Sequence, residues 1–79
     1  MKRKEISDEL YALIGSGNYV AKQQIGNGPI EDYVGCERNF YHAIEGDADL
    51  EKIVDPKSEF YQGKATYLIK FFGITLILS

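Results

Sequence analysis

Residues 66–78, TYLIKFFGITLIL, set nine apolar or aromatic side chains against one charge, Lys70. A run this continuously apolar suits strand structure covered on both faces, and Gly73 inside it reads as a bulge or as a tight turn between two strands. Broken by Lys70, the run is shorter than the roughly 20 apolar residues of a membrane-spanning helix. Just upstream, Gly63-Lys64 fits a two-residue hairpin loop with Gly in first place, joining a strand at residues 59–62 to the apolar run.

Further upstream, Asp47 or Asp49 is placed to cap a short helix in which Leu50, Ile53 and Val54 share a face, and Asp55-Pro56 ends it. Residues 36–45 fit two periods. As a strand they put Phe40, His42 and Ile44 on one face; as a helix they align Tyr33, Cys36, Phe40, Ala43 and Ile44. The strand is the favoured reading. Before it, residues 19–25 and 30–36 flank Gly26-Asn27-Gly28-Pro29, a turn cluster. A four-residue loop closed by Ile25 and Ile30 then pairs Ile25 with Ile30, Gln23 with Asp32, Ala21 with Val34 and Tyr19 with Cys36 on an apolar face, leaving Tyr33 beside Lys22 on the other. At the start of the chain Ser7 reads as the cap of a helix over residues 8–14, with Gly15 as its stop. Residues 1–4 read as a flexible basic tail. The expected fold class is α+β: a single domain with a small antiparallel sheet of four to five strands and two short helices.

The chain has 79 residues, room for one domain and a small core. One Cys and one His close no internal disulfide and form no structural zinc site. The net charge of -3 conceals a pattern, since residues 31–59 hold nine acids against three bases. Phosphate binding needs a concentrated basic face, so direct nucleic-acid binding is not expected. The opening Lys-Arg-Lys is followed by Glu5, Asp8 and Glu9 and not by an apolar stretch, so no secretion signal is read. The expected location is cytoplasmic, with no membrane partner.

No motif carries catalytic chemistry. Cys36 and His42 are six positions apart, which sets them on different faces of a helix and diagonally on a hairpin, so neither geometry presents a nucleophile–base pair. Asp47, Asp49 and Glu51 alternate as in a calcium loop, but Lys52 and Ser58 stand where that loop needs Gly and a bidentate Glu. Gly15-Ser16-Gly17 lacks the third glycine of a dinucleotide fingerprint. No cofactor, no metal and no catalytic residue are expected.

The remaining candidates are surfaces. Exposed Tyr offers stiff amphipathic contact area, and carboxylates attract a basic partner. The leading expectation is a non-enzymatic protein-binding module that engages a basic protein surface through Glu31, Tyr33, Glu37, Tyr41, Glu45, Asp47, Asp49, Glu51 and Tyr61. Its size is common among small regulators and inhibitors carried by phages and mobile elements. The alternative is a homodimeric structural subunit that self-associates through Phe71, Phe72, Ile74, Leu76 and Leu78, because an exposed apolar strand edge tends to pair. A third is a nucleic-acid mimic, although three bases interrupt the acids.

Overall fold

The computed structural model describes residues 2–79, which run as α1 (Lys2–Ser16), β1 (Ala21–Ile25), β2 (Ile30–Asp32), α2 (Arg38–Glu45), β3 (Asp49–Ile53), β4 (Thr66–Phe71) and β5 (Ile74–Leu78). The apolar run of residues 66–78 is a tight hairpin. Phe72 and Gly73 both hold positive φ, 49° and 75°, as the two central residues of a type I′ turn do. All strand pairs are antiparallel in one sheet of order β2-β1-β5-β4-β3. The expected class, a small α+β domain with two helices and an antiparallel sheet of five strands, is the observed one.

β5 lies inside the sheet. It pairs with β4 on one side and β1 on the other, and that second ladder is extended at one end by Val20 and Ser79, which exchange backbone bonds of 2.8 and 3.0 Å, and at the other by Gly26 N–H donating to Gly73 O at 2.8 Å. The two edge strands, β2 and β3, carry Glu31, Asp32, Asp49, Glu51 and Lys52, charges that discourage further pairing.

Both helices lie on one face. Tyr67, Ile69, Leu76 and Leu78 meet Leu10 and Ile14 of α1 and Phe40, Ala43 and Ile44 of α2 in a single cluster. Leu10, Ile69 and Leu78 are 0% exposed, and full burial of such side chains is worth about 1.5–3 kcal/mol each. On the opposite face Leu68 stands across from Ile77, and both are buried. With the helices elsewhere, the 54–65 connection is the segment left to cover them, and its Phe60 and Tyr61 are half-buried.

Five expectations are corrected. First, α1 begins at Lys2, so residues 2–4 are helical; Met1, part of the expected tail, lies outside the described residues. Ser7 is a buried mid-helix residue whose hydroxyl donates to Lys4 O at 2.9 Å. The stop is Gly17, at φ 69°, and not Gly15. Second, the β1–β2 register is shifted by one, with Lys22 opposite Asp32, Gln23 opposite Glu31 and Gln24 opposite Ile30. The loop takes in Ile25, whose carbonyl accepts from Gly28 N–H at 3.0 Å. A one-residue slip exchanges faces, so Tyr33 turns toward the helices. Third, residues 38–45 are helix and not strand, because Phe40, Ala43 and Ile44 are all buried while His42 is exposed. Fourth, residues 49–53 are strand and not helix. Pairing with β4 outweighs the local signals, with Leu50 facing the helices while Val54 stays exposed. Fifth, residues 59–62 form no strand; Gln62 N–H bonds to the Thr66 hydroxyl at 3.2 Å in place of a ladder.

Candidate functional site: an open apolar groove

The helices cover only part of their sheet face. α2 is eight residues long, about 12 Å at the usual rise, and the end of the β4–β5 hairpin projects beyond it. The result is an open groove of about 1030 Å³. Its floor is Phe71, Ile74 and Leu76 with Gln23. One wall is Asn39, His42 and Ala43 of α2, continued by residues 46–49, and the other side is closed by Tyr33, Val34 and Gly35, with Phe72 at the hairpin tip.

Two of these side chains face solvent almost completely, Val34 at 87% and Phe72 at 97%. Phe72 touches its neighbour Phe71 edge-on, ring centroids 6.1 Å apart. A non-glycine residue at positive φ carries a penalty of roughly 1–2 kcal/mol. At Phe72 the penalty is combined with near-complete exposure of an aromatic ring, and the edge-on approach to Phe71 is the aromatic contact set against it.

Charge around the groove is one-sided. Asp47 lines it, and Glu31 stands opposite the groove residue Gln23 in the β1–β2 ladder, whereas Asp49, paired with Lys70, borders the groove but turns its side chain to the opposite face of the sheet. Among the described residues none of these three enters an ion pair. Lys70, the one Lys or Arg lining the groove, is held by Glu51 at 2.9 Å.

Tyr33 builds the groove's inner wall. Its ring lies 4.9 Å from that of Phe40, its hydroxyl donates to Cys36 O at 3.1 Å, and it accepts from the Asn39 side-chain amide at 2.8 Å. These bonds fasten the turn before α2, whose N-cap residue Glu37 supplies no side-chain cap. Behind Phe40, Tyr19 donates to Glu37 Oε2 at 2.5 Å. Burial, and then this bond to a carboxylate, push the Tyr19 phenol up to about 12.

The other expected contact residues are scattered. Tyr41 stacks on Tyr11 at 6.0 Å between the two helices, and Tyr61 is half-buried in the 54–65 connection. Glu37 is taken by Tyr19 and Glu51 by Lys70, while Glu45 is exposed in the last turn of α2. Tyr33, Tyr41 and Tyr61 therefore form no common outer face. Of the five residues expected at a subunit interface, Leu78 is wholly in the core, whereas Phe71, Phe72, Ile74 and Leu76 all line the groove, Leu76 as its buried floor. The structure thus joins Tyr33 and Asp47 from one expected set to these four from the other, while Asp49 turns its side chain to the opposite face of the sheet. Val34, Asn39 and His42 were missed; the expected register placed Val34 on the sheet's apolar face, and α2 was read as a strand.

Cys36 is exposed and free, and no hydrogen bond joins it to His42. Among the described residues no three His, Cys, Asp or Glu side chains are grouped to hold a metal, and no helix is long and apolar enough to cross a membrane. Compared with known protein families, curated proteins and solved structures, the chain matches none.

Proposed function

We propose that this chain is a non-enzymatic protein-binding module whose groove, between α2 and the tip of the β4–β5 hairpin, receives an apolar segment of another protein. The observation that carries the reading is Phe72, 97% exposed at φ 49° on the rim of that groove. Residues that break a local conformational rule without a compensating contact concentrate at functional sites. Aromatic side chains are also the ones that dominate binding energy when a partner desolvates them. Small regulators and inhibitors act through surfaces of this kind, at no need of a catalytic group.

Selection of a displayed library of random peptides against the full chain tests the reading. Selected peptides are expected to carry bulky apolar residues and to shift the backbone amide resonances of Val34, Asn39, His42 and Phe72. Phe72→Asp and Val34→Asp, both at exposed positions, are expected to weaken them roughly tenfold or more, the size of one aromatic hot spot. Peptides that bind elsewhere, or that ignore both substitutions, overturn it.

A further inference from the structure

Resting on the groove reading above, we infer that the segment the groove accepts carries Lys or Arg beside its apolar anchors. The argument is charge complementarity. Asp47 lines the same groove as Phe71, Phe72 and Ile74, and Glu31 adds a second carboxylate beside Gln23. The groove's Lys70 is already neutralised by Glu51 at 2.9 Å. An occupant therefore meets apolar contact below and, at the side, two carboxylates that enter no ion pair among the described residues, while the nearby Arg3 guanidinium is engaged by the carbonyls of Ile44, Gly46 and Ala48. A purely apolar segment leaves those carboxylates facing its own flanking groups, and an acidic one is repelled. A basic residue next to the anchor gains two attractive partners and excludes competing segments of the wrong sign.

The same charges weigh against a second copy of this chain as the occupant. A symmetric pair that inserted each Phe72 into the other's groove would bring Glu31 and Asp47 of both chains into one interface. The chain's net charge of -3 works in the same direction.

Three blocked synthetic peptides of pattern xLFxxLLx, with x as Lys, Gln or Glu throughout, test the inference by fluorescence anisotropy on the full chain. At about 50 mM sodium chloride the Lys peptide is expected to bind roughly three- to tenfold tighter than the Gln peptide, and the Glu peptide weakest, as partly exposed charge pairs allow. The Lys advantage is expected to vanish at about 500 mM salt, where the screening length is only a few ångströms, and in the Glu31→Gln/Asp47→Asn variant. Both changed residues are exposed, so the variant keeps the fold, and unchanged thermal unfolding confirms it. If Lys and Gln peptides bind equally, and both are lost in Phe72→Asp, the groove stands and the basic occupant falls. Binding indifferent to Phe72→Asp removes the groove reading itself. Sedimentation that shows a concentration-dependent dimer, dissolved by Phe72→Asp, replaces the basic partner with a second copy.

Discussion

The phenol of Tyr33 fills the space that a Cβ on Gly35 would need. Gly35 thus meets a need for room and not for an unusual φ, since among the glycines only Gly17, Gly26, Gly63 and Gly73 have positive values. Gly35→Ala forces the ring outward, away from Phe40 and from its bonds with Asn39 and Cys36. The expected loss is about 1–2 kcal/mol in chemical denaturation, from an aromatic contact and one or two hydrogen bonds. In a Tyr33→Ala background the same substitution is expected to be nearly neutral. Equal losses in both backgrounds would assign the effect to the backbone.

That contact also shows where sequence reasoning reached and where it stopped. The hairpin at residues 66–78, the strands around residues 21–25 and 30–32 and the first helix were legible, because each rests on a local pattern: an apolar run, a turn cluster, a helical stripe. The β1–β2 register was not. Pro29 excludes one loop, but a four- and a five-residue loop remain compatible with the sequence, and the choice is settled by Lys22 meeting Asp32 at 2.9 Å and by β1 pairing with β5 from Ala21 to Ile25. Phe40 and Ile44 suit both a helix and a strand, so only the burial of Ala43 between them distinguishes the two. Residues 49–53 look like a capped helix until β4 is placed beside them. The groove was half legible for the same reason, since its apolar residues stood out while the wall facing them depends on Tyr33 and α2.

Glu9 ties α1 to the sheet. Its Oε1 accepts from Lys52 Nζ at 2.7 Å and from the Tyr67 hydroxyl at 2.6 Å, and these bonds hold its carboxyl below the ordinary 4.5. A carboxylate with a lowered folded-state pKa stabilises above its unfolded value and loses that contribution as pH falls through the folded one. Thermal unfolding of the native chain is therefore expected to weaken more steeply than that of Glu9→Gln as pH drops below about 4.5. At neutral pH the variant is expected to be the less stable of the two. Parallel curves for the two proteins across that range remove Glu9 from the acid response.

Arg3 contradicts its expected place in a loose tail. Its Nη2 donates to Ile44 O at 2.9 Å and to Gly46 O and Ala48 O at 3.1 Å. It thereby serves Ile44 O, which the end of α2 leaves without a helical partner, together with two carbonyls of the turn into β3, and sets a cation at the negative end of that helix. Arg3→Ala is expected to lower stability by about 1–2 kcal/mol, less than fully buried charge-assisted bonds would give because the site is partly open to water. Arg3→Lys is expected to recover only part of it, since one ammonium lacks the planar fork. Hydrogen exchange should quicken at the Gly46 amide, which donates to His42 O at 3.0 Å. Unchanged exchange there would make the contact incidental.

Phe72 separates stability from binding. At φ 49° followed by Gly73 at 75°, the turn is one in which Asn-Gly is the favoured pair, and Asn tolerates the left-handed region far better than a bulky aromatic residue does. Phe72 is almost wholly exposed, so its removal forfeits little burial. Phe72→Asn is expected to raise the melting temperature by roughly 3–8 °C, the size of shift that relief of about 1 kcal/mol produces in a domain this small. The same variant is expected to bind groove-selected peptides at least about tenfold more weakly, because the rim loses its aromatic anchor. A lower melting temperature would mean that the edge-on contact with Phe71 supports the hairpin, and would withdraw the strain argument for a binding role. A gain in stability coupled to a loss of binding is the pattern expected of a residue kept for its partner and not for its own fold.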